Sequence, residues 1–266
     1  MKYIPHMWVK RELSDEMEHA FSPKHDTLSS HINKQETDSI FYDVRAFRQM
    51  LAYFNSLPGI AKFEVMIASF SSESSTSVPS NYGSLLTLIF VPTDLDFKVL
   101  GYFTLPPGAT AFDVGSCKLL PKVAKEWIAN YKKQIKFLVN ELDTTDRSNY
   151  PGGVIQTGQI SDTRSISYPF SNLLEIDTEI NYQATFPPPS HRIITTGIKA
   201  FFSAYSFQAD GLANRLLVQF ELTKDVNNKV YHLEDTYDFK HRHPYPKFTL
   251  YDNGQLCPPA SGCPNP

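Results

Sequence analysis

The stretch KFEVMIASF, residues 62–70, is rich in apolar and β-branched side chains on both faces of an extended chain, which marks an interior strand of a sheet. SLLTLIFVP, residues 84–92, reads the same way. The serine-rich segment SSESSTSVPSNYG between them is too long for a tight hairpin, so it is expected either to close over a ligand or to be a flexible loop. After the turn residues DLDFK, the segment VLGYFTL is expected as a third strand.

Working outward, FYDVRAFRQMLAYFNSLPG places Val44, Phe47, Met50, Leu51 and Phe54 at intervals of three and four. That is the apolar stripe of a helix, capped by Asp43 and stopped at Pro58-Gly59. Residues 1–38 read as a polar N-terminal arm with a short helical candidate from Leu13 to Phe21. His19, His25 and His31 recur there at a spacing that suits neither a helix face nor a zinc site, which a solvated arm explains. On the other side, a long helix is expected from Gly115 to Leu142, with Pro121 in its first turn. Leu120, Val123, Ala124, Trp127, Tyr131, Ile135, Leu138 and Leu142 share one face, while Lys125, Lys132 and Lys136 lie on another.

Residues 39–143 therefore form a first α+β half, and the Asp-, Pro- and Gly-rich residues 144–160 form a linker. Residues 161–250 read as a β-rich second half, and 251–266 as a proline- and cysteine-bearing tail. TGIKAFFSAYSF occupies the place of KFEVMIASFSS, and RLLVQFELTKDVNNKVYHLED lies without gaps over SLLTLIFVPTDLDFKVLGYFT. The overlay pairs Leu85 with Leu216 and Asp94 with Asp225, as an internal duplication or two unrelated meanders would. Leu216, Val218, Phe220 and Leu222 alternate with Leu217, Gln219, Glu221 and Thr223, so the later strand is expected to keep one wet face.

Composition narrows the function. A chain of 266 residues that is 41% hydrophobic, with 19 Phe and 14 Tyr, is a packed globular protein. A net charge of -3 argues against wholesale nucleic-acid binding, which rests on surplus Lys and Arg. The N-terminus lacks the apolar core of a secretory signal, and no apolar run approaches the roughly 18 residues of a membrane span. A cytoplasmic protein is expected, in which three cysteines do not make a disulfide framework.

Short signatures of the common hydrolases, phosphate-loop enzymes, dinucleotide binders and helical zinc proteases are missing, which lowers the expectation of catalysis. His241, His243, Cys257 and Cys263 offer the nitrogen and sulfur ligands that zinc takes, although their spacing fits no standard zinc pattern. No bound metal is the expectation; an ion held there would be zinc, and a variant with His232, Glu234 and a later histidine would suit iron. Apart from that cluster no cofactor is expected. The bland alternative is a polar strand end followed by a frayed tail.

Two features suit partner contact. The Lys125, Lys132 and Lys136 stripe could meet an acidic surface, or be the wet face of a surface helix. Pro187, Pro188 and Pro189 favour an extended helix that docks in aromatic grooves, or a stiff connector.

FEVMIASF, LLTLIFVPTD and the closing DNGQLCPP together resemble a group of soluble bacterial proteins of unassigned activity. The resemblance implies a bacterial protein and carries over no catalytic residue. The sequence thus predicts an α+β fold of two sheet-bearing halves, mixed or antiparallel, with the long helix packed on a sheet through Trp127, Tyr131 and Leu138. The function expected is a non-enzymatic binding or assembly protein with a protein partner or self-association. The alternative is a metal-dependent enzyme or structural-zinc protein built on the C-terminal His/Cys cluster.

Overall fold

The computed structural model describes residues 8–71, 82–106, 108–134, 163, 165–185, 194–204, 216–226, 229–232, 248–251 and 255–257. The first part of the chain gives β1 (Trp8–Lys10), α1 (Arg11–Ile32), β2 (Ser39–Asp43), α2 (Val44–Asn55), β3 (Lys62–Ser69), β4 (Leu86–Thr93) and β5 (Tyr102–Phe103). Next come α3 (Val114–Cys117), β6 (Lys118–Leu119), α4 (Pro121–Gln134), β7 (Ser165–Pro169) and α5 (Phe170–Thr185). The last elements are β8 (Gly197–Ala204), β9 (Leu216–Val226), β10 (Lys229–His232), β11 (Phe248–Tyr251) and β12 (Gln255–Cys257).

The described strands make two six-stranded antiparallel sheets. One has the order β1-β11-β9-β8-β2, with β10 also on β9, and the other the order β12-β7-β3-β4-β5-β6. As their composition requires, β3 and β4 are interior strands buried on both faces. Phe63, Val65, Ile67, Leu88 and Phe90 join the main core with α2, α5 and the inner face of the other sheet. Met66, Ala68, Ile89 and Val91 instead pack under Trp127 and Ile128 of α4.

The two halves do not own one sheet each. β2 pairs with β8, and β7 pairs with β3, so each half lends a strand to the other's sheet. The exchange is matched bond for bond. Val44 N–H donates to Thr196 C=O (3.1 Å) as Phe170 N–H donates to Ala61 C=O (3.0 Å). Ala61 N–H reaches Thr93 C=O (2.9 Å) as Thr196 N–H reaches Thr223 C=O (2.8 Å). Tyr42 packs edge-on against Phe90 across the core, and Tyr168 against Phe220.

This register corrects the gapless overlay. β3 and β4 pair from Lys62↔Thr93 to Ser69↔Leu86, and β8 and β9 from Gly197↔Thr223 to Ala204↔Leu216. Leu216 therefore stands where Leu86 stands, not Leu85. A one-residue slip reverses which face every side chain takes.

The N-terminal segment is also not a solvated arm. α1 runs through Pro23 to Ile32, and Met17, Phe21, Lys24 and Leu28 form a buried stripe along it. It packs on the face of β9 expected to be wet: Gln219 is buried with its amide on Met17 Sδ, and Leu217, Glu221 and Thr223 are buried as well. Lys24 inside the stripe and Pro23 inside the helix hid this amphipathicity from a reading of periodicity.

α2 follows expectation. The Asp43 carboxylate accepts from Arg45 N–H (2.8 Å) and Ala46 N–H (3.2 Å), and Phe47, Met50, Leu51 and Phe54 are buried. The lysine-bearing helix starts later than expected, at Pro121, because Lys118 and Leu119 pair with β5 first. Leu120 precedes it and is exposed, whereas Ala124, Trp127 and Tyr131 are buried as read. Ile135, Leu138 and Leu142 lie outside the described residues. α5 was not anticipated in the second half; Leu173, Ile176 and Ile180 bury its inner face, and Asp177 and Asn181 bond Arg48 of α2.

Candidate functional site

β2 ends its sheet, with β8 on one side and no strand on the other among the described residues. Asp38 C=O accepts from Phe202 N–H (2.9 Å), and Val44 N–H bonds Thr196. Even-numbered positions of β2 thus face β8, and the N–H and C=O of Ser39 and Phe41 point outward. Phe41 is 44% exposed. Its ring lies over Gly197, where a Cβ would come within 2.1 Å of it, so a larger residue there would push the exposed ring aside.

Beside this edge lies a groove of about 250 Å³ lined by Ile40, Phe41, Phe70, Tyr82, Leu86 and Leu105. Glu36 braces it. One carboxylate oxygen accepts from Thr37 N–H (2.7 Å) and Leu86 N–H (2.6 Å), tying the approach to β2 to the start of β4. Burial raises the Glu36 pKa against these bonds, and His25 Nε2 donates to the Glu36 C=O (2.9 Å). Sequence reading passed over the strand Ser39–Asp43 because the helical stripe beginning at its end dominated the window.

The matching edge in the other sheet is filled. Phe170 N–H on Ala61 C=O sets the same parity, so Ser165 and Ser167 face away from β3. There β12 adds antiparallel, with Gln255↔Ser167, Leu256↔Ile166 and Cys257↔Ser165. Ser167 is 8% exposed and Ile166 fully buried, against an exposed Phe41 and a half-buried Ile40 at the equivalent places.

Two polar clefts lie elsewhere. One of about 510 Å³, between α1 and β8–β9, is lined by Asp15, Glu18, His19, His25, Lys199 and Glu221. The other, about 530 Å³, gathers Ser69, Ser71, Ser84, Glu126, Asn130 and Gln134 beside the serine loop, whose residues 72–81 lie outside those described. Glu64, on the α4 side of β3, is buried with Oε1 unpartnered among the described residues. Burial pushes its pKa up to about 7, against the pull of Lys62.

The expected site residues scatter. Lys125 is exposed and Lys132 half-buried on α4; Lys136 and Pro187, Pro188 and Pro189 lie outside the described residues. So do His241, His243, Glu234 and Cys263, while the backbones of Cys257 and His232 belong to β12 and β10. Residues 255–257 are thus an edge strand where a loose tail was expected. Among the described residues no group of three or more His, Cys, Asp or Glu is placed to hold a metal, and no helix is long and apolar enough to cross a membrane. Compared with protein families, curated proteins and solved structures, the chain matches none.

Proposed function

We propose that this is a non-enzymatic binding or assembly protein of the bacterial cytoplasm, which holds another polypeptide, a partner or a second copy, at the edge of β2 that no described strand covers. The observation that carries the reading is that edge: outward backbone groups at Ser39 and Phe41, an exposed aromatic, and an apolar groove alongside. Natural sheets blunt open edges with lysine, proline or a covering element, and Ser-Ile-Phe carries neither residue. The matched order β2-α2-β3-β4 and β7-α5-β8-β9 supports descent of both halves from one duplicated unit.

Light scattering over a wide concentration range, with hydrogen exchange read at residues 39 and 41, tests the reading. Protection of these amides in an oligomer or complex, abolished by Ser39→Pro, is the expected result. A monomer whose 39 and 41 amides exchange freely alone and with every polypeptide offered would refute it.

A further inference from the structure

We propose that the occupant of the β2 edge is an extended peptide strand of a different protein, since this chain's own strand of that kind, β12, is already placed on β7; it adds antiparallel through Ser39 and Phe41 with an apolar side chain opposite Ile40. The inference rests on the binding reading above and goes further by fixing the guest's form. This fold already holds such a strand once, on β7. β7 and β2 hold equivalent places: each ends at a helix N-terminus, and each turns its even-numbered residues toward an exchanged partner strand.

On β7 the outward groups of Ser165 and Ser167 face Cys257 and Gln255, and Leu256 falls opposite Ile166. On β2 the same groups belong to Ser39 and Phe41, with Ile40 between them. A guest in the β12 register brings its central residue beside Ile40, where the 250 Å³ groove offers Phe70, Tyr82, Leu86 and Leu105. Main-chain bonds would supply the grip and the groove the selectivity, as in strand addition generally. The pairing runs over three residues on the twin edge, so affinity is expected to be weak, on the order of tens to hundreds of micromolar.

The probe is a fluorescent peptide of residues 252–258 with Cys257→Ser, titrated into the full chain by anisotropy, beside a copy carrying Leu256→Asp. The first peptide is expected to bind and the second not. Ser39→Pro removes an outward N–H while leaving the bonds to β8, and is expected to weaken binding at least about tenfold. Ser39→Ala keeps that N–H and binds as the wild type does. Hydrogen exchange on the wild type, which needs no variant to fold, should show amides 39 and 41 protected by the peptide.

Binding that ignores Ser39→Pro, or that leaves amides 39 and 41 unprotected, overturns the proposal by placing the peptide away from the β2 edge. Binding of the Leu256→Asp peptide with equal strength overturns the apolar requirement. If the peptide fails but raised protein concentration alone protects 39 and 41, the guest is a second copy, and the binding reading stands while this inference falls. If neither protects them, both fall.

Discussion

Replacing Glu64 by Gln isolates the cost of burying one carboxylate. In the unfolded chain Glu64 ionises near 4.5, and in the fold near 7, because burial disfavours its charged form. The folded state therefore holds the proton more tightly. Its stability contribution is fully present below 4.5 and is lost as pH rises through about 7. The interval corresponds to about 3 kcal/mol. Gln cannot ionise, so the stability of Glu64→Gln relative to wild type should rise by about 3 kcal/mol between roughly pH 4 and pH 8. Any fixed penalty of seating the amide is the same at both ends and drops out of the comparison. The buried Glu36 and Glu179, raised by burial too, are present in both proteins and cancel. Urea unfolding at both pH values, fitted with a shared slope, reads the difference. Parallel pH dependence of the two proteins would show that Glu64 ionises in the fold at its ordinary value, and the argument from burial would be wrong.

Trp127→Ala should cost about 3–5 kcal/mol in the same assay, since the indole is fully buried between α4 and β3–β4; a loss under about 1 kcal/mol would mean that α4 does not cover that sheet. Asp43→Ala should cost about 1 kcal/mol by freeing the N–H groups of Arg45 and Ala46, while Asp43→Asn should restore most of it. The metal reading of His241, His243, Cys257 and Cys263 is tested by elemental analysis of tag-free chain purified without chelators. About one zinc or iron per chain, lost on Cys257→Ser with Cys263→Ser, would support it, and the binding reading expects the same melting temperature with and without chelator.

The buried sheet was legible because β3 and β4 are apolar on both faces, and α2 because Asp43 and a clean stripe announce it. α1 and β9 were misread together, for one cause. Gln219 and Glu221 look like a wet face until something covers them, and the covering stripe of Met17, Phe21 and Leu28 is interrupted by Lys24. Each segment is ambiguous alone, and only their contact resolves both. The candidate edge was hidden for a different reason: an edge is defined by which strand is missing beside it. The β-branched and aromatic residues of Ser-Ile-Phe-Tyr-Asp favour a strand, but pairing with β8 rather than β3 is a long-range choice that local propensity does not encode.

The exchange of β2 and β7 also governs how the chain can reach this fold. As synthesis proceeds, β2 has no partner among the described strands until β8 appears, and β3 pairs only with β4 among them until β7 arrives. The first half thus emerges with unsatisfied strands and must wait, exposed to wrong pairings, for the second. Closing such distant contacts is slow, and the native ladders form late and together. Severing the chain near residue 150 would not release two autonomous pieces. It would leave two fragments, each lacking a strand that the other carries, which regain the fold only by finding one another.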